Sequence, residues 1–289
     1  MNIDYKLLID YLKKNLRFIF ITTLLTTLLG LIYLIFETPK YEVSTIISAN
    51  EDDNKVSFES GGLATLVGAG QKKTFIYEFN ETIFSLNVVE ELNQKENLIF
   101  KVFEHLYDYE TDSYNQVINL DSVLKKIKFW FYGVNYKAVP NLFMLRDYIK
   151  GSVSINFNEF SGLITVSSLT SNPLETRKMI NSLLKETDDA FKDIDKFETN
   201  AKIDYLYSEL SKNKEVNQVA AISNILQNEL LKKSLIDSGA NYKFKTVRDF
   251  EMSEYPVYPN FMFLLLLFTS FGFFGSMAYK LLLFIVKLS

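Results

Sequence analysis

Two stretches without a single charge, one near each end of the chain, constrain this sequence more than anything else in it. Phe18 to Phe36 (FIFITTLLTTLLGLIYLIF) runs 19 residues uncharged, and Phe261 to Tyr279 runs another 19 before Lys280 and LLLFIV. At 1.5 Å per residue each covers about 28 Å as a helix, close to the hydrocarbon thickness of a bilayer. A soluble core helix would show polar positions at helical spacing instead. Both runs are therefore expected to span a membrane. A cleaved signal peptide is the competing explanation of the first, but its charged leader is long, its apolar run exceeds the usual length, and ETPKYE lacks a small-x-small cleavage site. It is expected to remain as an anchor.

Basic residues set the expected orientation. Lys6, Lys13, Lys14 and Arg17 precede the first run; the fifteen residues after it offer only Lys40, and the fifteen before the second run only Arg248. Basic flanks stay in the cytoplasm, which puts both termini inside and exports the middle. Lys287 agrees, and Lys280 can snorkel to the same interface. The exported part, Glu37 to Asn260, holds all but six of the 31 basic and all but two of the 35 acidic residues, a net of about −8. That sign disfavours nucleic acid or a broad polyanion-binding face. With no cysteine, thiolate chemistry is excluded, and with His105 as the lone histidine a histidine-based metal site has no basis. Carboxylate chemistry remains open to it.

Past the first anchor, YEVSTIIS (Tyr41 to Ser48) alternates and is rich in β-branched residues, as a strand does. GGLATLVGAG follows, with Gly61, Gly62, Gly68 and Gly70. It lacks the Lys-Ser/Thr ending and the βαβ setting of a phosphate loop, so a loose loop near the membrane is expected. Phe75 to about Leu106 carries apolar positions Val88, Val89, Leu92 and Phe103 at helical spacing. From there to Arg146 the chain looks aromatic and irregular, and the single tryptophan, Trp130 in KKIKFWFYG, is expected as a buried or interface anchor rather than a nucleic-acid or sugar contact. Val153–Phe157 and Leu163–Ser167 alternate around NEFSG and predict a β-hairpin.

The sharpest local signal comes next. Asn172-Pro173-Leu174-Glu175 supplies a capping side chain, a proline at the first helical position and a glutamate at the third. The predicted helix carries an apolar stripe at Ile180, Leu183, Leu184, Thr187, Phe191, Ile194, Phe197, Ala201 and Tyr205. If continuous to Lys212 it is about 60 Å long, more than a domain of this size can bury, so it should project. Its charges, among them Asp188, Asp189, Lys192, Asp193, Asp195 and Lys196, are expected on a solvated face and not as catalytic carboxylates. KNKEVNQ reads as a turn, and a second helix from about Val216 ends at Ser238-Gly239. The stripes of this hairpin are thin, which points to self-association through residues such as Phe191, Ile194 and Phe197. Small residues in the two membrane runs, Thr23, Thr27 and Gly30 with Gly272, Gly275 and Ser276, allow close helix contact. The chain returns as a strand, Tyr242 to Phe250, whose pairing with the first strand would hold the membrane helices side by side. Pro256 and Pro259 then make a stiff extended link into the second helix.

This succession resembles the polysaccharide co-polymerase family, the Wzz-type chain-length determinants of Gram-negative inner membranes, over essentially the whole chain. The resemblance rests on IDYKLLIDYLKKNLR before the first membrane helix, YEVSTIISA, GGLATLVG, GLITVSSLTSNPLETRKMINSLL and LLKKSLIDSGANYKFKTVRDFEMSEYPVYPN. The chain departs from the family where a third proline and a basic residue are usual, having Asn260 and Phe261 there. No GxxxxGK[ST] occurs and only Lys287-Leu288-Ser289 follows the second helix, as in the short form without a cytoplasmic kinase domain.

The resemblance implies an α+β membrane protein, two transmembrane helices flanking a periplasmic α/β base with a long projecting helical hairpin. The expected division is a cytoplasmic segment 1–17, membrane helix 18–36, periplasmic domain 37–260, membrane helix 261–286 and cytoplasmic end 287–289. Within the domain the base takes 37–172 and 240–255, the hairpin 173–239 and the proline segment 256–260. It further implies a non-enzymatic regulator of the chain-length distribution of a surface polysaccharide such as O antigen, working without cofactors as a homo-oligomer, a ring in this family. Its partners would be a periplasmic-face polymerase and the lipid-linked growing polysaccharide. Capsule export in a transporter-linked system shares the topology. A membrane-anchored glycan-cleaving enzyme and a two-helix sensor fit less well, the first for want of an acid pair in an aromatic-rich loop, the second for want of an output module.

Overall fold

The computed structural model describes residues 11, 13–50, 75–117, 120–134, 138–212 and 215–288. The expected loop at Gly61–Gly70 lies outside the described residues, as do Asn213 and Lys214 of the expected turn. The described chain divides into two compact units, one formed by Met1–Glu42, Leu169–Pro173 and Met252–Ser289, the other by Val43–Ser168 and Leu174–Glu251.

The first unit is built on helices α1 (Leu16–Phe36) and α9 (Phe261–Leu288), both long and apolar enough to cross a membrane. They pair antiparallel. Tyr11 stacks at 5.0 Å on Phe284, Phe18 at 6.1 Å on Tyr279, and Tyr33 at 6.3 Å on Phe268, so the start of one helix meets the end of the other. Lys280 Nζ lies 4.1 Å over the Phe18 ring, where its charge finds an aromatic face at the helix end. Threonine hydroxyls along α1 donate back to carbonyls one turn earlier, Thr23 to Ile19 and Thr27 to Thr23, so the polar groups are satisfied within the helix.

The second unit is a four-stranded sheet with helices on one face. β1 (Tyr41–Ala49) alternates inward at Val43, Thr45 and Ile47, the period-two pattern of a half-buried strand. A helix over 75–83, α3 (Leu86–Glu96) and α4 (Leu98–Phe103) follow. Taking the 75–83 helix as α2, the expected single helical stretch is broken between α2 and α3. Ser85 there caps α3 by accepting from the Val88 N–H, and Asn97 closes α3 in the left-handed conformation.

Between Leu106 and Arg146 the expectation of irregular chain is wrong. The region forms a short ribbon of β2 (Tyr107–Asp108) and β3 (Ser113–Tyr114), then α5 (Leu120–Phe131) and the start of α6 (Leu142–Ser152), which Asn141 caps at Met144. Trp130 at the end of α5 is not buried in this chain; it is 73% exposed. Four consecutive aromatics, Phe129 to Tyr132, hide the helical period of α5 from a sequence count.

β4 (Val153–Asn158) and β5 (Leu163–Thr170) form the expected hairpin, from Val153 opposite Ser168 to Asn158 opposite Leu163. The Asn158 side chain accepts from the Phe160 and Ser161 N–H groups, and Gly162 takes the positive φ of 69° that closes the turn. The long helix α7 (Pro173–Lys212) is continuous over 40 residues and packs with α8 (Val216–Asp237), after which Gly239 turns with φ 72° into β6 (Phe244–Met252). The strand order is β4-β5-β1-β6, so the first and last strands are neighbours, and Thr45 Oγ1 donates across to the Arg248 carbonyl.

One core joins Val43 and Ile47 of β1 to Phe79, Val88, Leu92, Leu145, Ile164 and Ile180. The α7–α8 hairpin runs past it to a smaller cluster of Ile203, Leu206 and Leu226. Between the two clusters the hairpin is held by polar contacts.

Candidate functional site

In the first unit, the small residues of the two apolar helices fall into three groups. Gly272 lies hard against α1: a Cβ there would stand 1.8 Å from Thr26 Oγ1 and 3.0 Å from Thr23 Cα. Gly30 likewise faces the Phe268 ring, with the corresponding distance 2.7 Å. Thr27 joins α9 through a hydroxyl contact of 3.0 Å to Thr269. Ser276 is buried and donates to the Phe273 carbonyl, whereas a Cβ on Gly275 would meet nothing within 4 Å. The structure thus brings Thr23, Thr27, Gly30 and Gly272 to one seam and leaves Gly275 off it.

The proline segment sits where the two apolar helices meet extended chain. Tyr258, between Pro256 and Pro259, forms an antiparallel bridge with Lys40: Lys40 N–H donates to the Tyr258 carbonyl at 2.8 Å, and the Val257 and Tyr258 N–H groups donate to the Lys40 carbonyl. One step further, Ser253 N–H donates to the Glu42 carbonyl and Ser253 Oγ accepts from Glu42 N–H. The prolines lack an N–H, so pairing falls to the residues between and before them.

In the second unit, the charged run of α7 is only in part the solvated face expected of it: Asp193, Lys196, Glu198 and Lys202 are exposed, but Asp188 and Asp195 are buried. Asp188 is 4% exposed, and its carboxylate accepts from the Tyr242 N–H at 3.1 and 3.0 Å and from the Lys243 N–H at 2.8 Å. Those are the donors of the chain entering an edge strand, and an orphaned buried N–H is costly. Lys192 Nζ lies 3.0 Å from both Asp188 and Asp189. One turn on, Asp195 accepts from the Tyr242 hydroxyl and Lys243 Nζ, each at 2.8 Å, and faces Lys232 of α8 at 3.6 Å. The run is a clasp between α7, α8 and the head of β6.

Burial works against the charged form of Asp195. The hydrogen bonds from Lys243 and Tyr242, with the charges of Lys243 and Lys232, outweigh it and hold the carboxyl below its usual range. A depressed carboxyl contributes stability that is present above the unfolded value of about 3.9 and is lost as pH falls through the folded one. Thermal unfolding should therefore show a fall in Tm below about pH 4, and Asp195→Asn should flatten that acid limb while lowering Tm at neutral pH. An unchanged acid limb in the variant would contradict the clasp. A carboxylate so saturated with donors is no poised acid for glycosidic cleavage. Among the described residues no group of three or more His, Cys, Asp or Glu could hold a metal ion.

The clasp also turns α7 about its axis relative to the apolar stripe in its sequence. Past Phe191 the buried line runs through Asp195, Thr199 and Ile203, and leaves Ile194 at 54% and Phe197 at 79% exposure. Phe191 itself is 5% exposed, packed at 6.3 Å on Phe75. As a contact between copies it is therefore excluded by its place in the chain's own core. Ile194 stands at the rim of a cleft of about 710 Å³ between α7 and the α2–α3 region, lined by Glu81, Glu90, Glu91, Asp189 and Asp193.

Residues 1–96, which hold α1 and β1, match the family described as "Wzz: Chain length determinant protein". A solved structure described as "full-length bacterial polysaccharide co-polymerase" aligns over 96% of this chain and 97% of its own, with 9% identity and a TM-score of 0.37. No curated protein matches the sequence.

Proposed function

We propose that this chain, whose residues 1–96 match the Wzz chain-length-determinant family, belongs to that family and sets the length distribution of a surface polysaccharide without catalysing a bond change itself. The family match over residues 1–96 carries this proposal. The antiparallel pair of apolar helices supports it, since that pairing brings the start of α1 and the end of α9 to one side of a bilayer. In this proposal those ends are cytoplasmic, the domain of residues 37–260 faces the periplasm of an inner membrane, and an O-antigen-like polymer grows beside it on a lipid carrier under a separate polymerase. A polysaccharide gel from cells with and without the gene tests this. Loss of the modal cluster, with polymer still made, is expected. Loss of all polymer would point to a transporter-linked export role, and release of reducing ends by the purified protein would point to a glycan-cleaving enzyme.

The proposed working form is a homo-oligomer acting as a scaffold. Its support is the outward line of Ile194, Phe197 and Tyr205 on α7, a large apolar surface left uncovered among the described residues. Ile194→Asp with Phe197→Asp should reduce particle mass in detergent at least twofold while Tm changes by no more than a degree or two, because neither side chain is buried. Unchanged mass would sink this interface.

The segment expected to be extended bends at Glu254, Tyr255 and Pro259, and Pro256 and Pro259 are proposed to fix its backbone so that Tyr258 stays paired with Lys40 and the two spans keep register. Replacing both with alanine should broaden the modal cluster on the gel. An unaltered cluster at equal protein level would refute that role.

A further inference from the structure

α5 carries an apolar face that nothing in the described chain covers. Its inner side is marked by Ser122, which is buried, and Phe129, which is half-buried. At about 100° per residue the exposed Val123, Leu124, Ile127, Trp130 and Phe131 fall within about 60° of one line on the opposite side. On the same wheel Lys126 and Lys128, both exposed, stand at about 100° to either side of that line. The helix thus shows solvent an aromatic-rich arc bordered on both edges by lysines. Gly133, with φ 70°, then ends it, and Tyr132 and Val134 extend the exposed apolar surface.

Two kinds of partner fit an apolar arc, a protein surface and a lipid surface, and the borders separate them. Protein interfaces are depleted in lysine, whose strongly hydrated head is costly to cover. A helix lying in a bilayer interface has the opposite need. Lysines at the polar–apolar boundary run their stems along the acyl region and keep their heads among anionic headgroups, and tryptophan and tyrosine favour the same layer. The local charge is basic, although the domain of residues 37–260 is acidic overall. Twelve residues bind lipid weakly alone, but in a chain anchored by two spans their encounter with lipid is intramolecular.

We propose that α5 is an interfacial helix, lying in the headgroup layer of the membrane that anchors the chain, with Trp130 and Phe131 towards the acyl chains and Lys126 and Lys128 on anionic phospholipid. This rests on α1 and α9 being membrane spans.

Trp130 is the only tryptophan in the chain, so its fluorescence reports on this helix alone. The full chain is placed in nanodiscs of phosphatidylcholine with and without phosphatidylglycerol, and insertion is checked by co-migration with the disc. The expected result is a blue-shifted emission, quenched by lipids brominated near the headgroups more than by lipids brominated near the chain ends. Iodide should quench it weakly. Lys126→Glu with Lys128→Glu should reverse the two sensitivities while circular dichroism and Tm stay unchanged. Emission open to iodide and indifferent to brominated lipid, in a chain that has inserted, overturns the proposal and leaves the spans intact. Shielding from both quenchers also overturns it, in favour of a protein partner. A chain that fails to insert at all removes the anchoring premise, and the proposal with it.

Discussion

Asp188→Ala will lower the stability of the protein by about 3 kcal/mol, more than any other single carboxylate removed from α7. The loss has two parts. The Tyr242 and Lys243 N–H groups lose their acceptor, and each unsatisfied buried donor costs about 1–3 kcal/mol. Lys192 loses one of its two carboxylates but keeps Asp189 at 3.0 Å, so the charge left behind is still paired. Asp188→Asn retains one acceptor oxygen and should lose about half as much. Thermal or urea unfolding of the detergent-solubilised protein measures both. A cost under about 1 kcal/mol for the alanine variant would mean that the head of β6 is not held by this carboxylate.

The second large effect is expected in the apolar helices. Gly272→Leu places a branched side chain where even a Cβ would overlap Thr26 and touch the backbone of Thr23. Close packing of small residues is the chief attraction between helices in lipid, where no hydrophobic effect draws them together. Forcing the seam apart removes it, along with the Thr27–Thr269 contact and the fit of Phe268 over Gly30. The chain has no cysteine, so Thr27→Cys with Thr269→Cys gives a clean cross-linking pair. Oxidation should join the two readily, and adding Gly272→Leu should slow it by about tenfold or more, a separation of only about 1.4 kcal/mol. Gly275→Leu is the matched control, since Gly275 faces open space, and should leave the rate alone. Equal rates for the two leucine variants would contradict the seam.

What was legible beforehand follows from the range of the interactions involved. The apolar helices, the alternation in β1, the β4–β5 turn and the start of α7 at Asn172-Pro173 are written within a few residues each, and they stand in the structure. The face that α7 buries is not local information. Its apolar stripe runs on through Ile194, Phe197 and Tyr205, but the partner it meets offers backbone N–H groups and lysines, and these draw in Asp188 and Asp195 instead. Satisfying donors at the head of an edge strand outweighed covering three more apolar side chains. α5 is obscured in the sequence for a different reason. Its stripe at Val123, Ile127 and Trp130 is present in the sequence, but the aromatic run around Trp130 also populates the other faces.

The proposed function, control of the length of a polymer that other proteins make, is open to direct measurement. Its most direct measurement is the length distribution and the total amount of surface polysaccharide in the deletion strain as the chain is restored in graded steps. The expected result is a modal cluster that sharpens with the amount of protein while total polymer stays constant. Total polymer rising in proportion to the protein, with no change in the shape of the distribution, would contradict it.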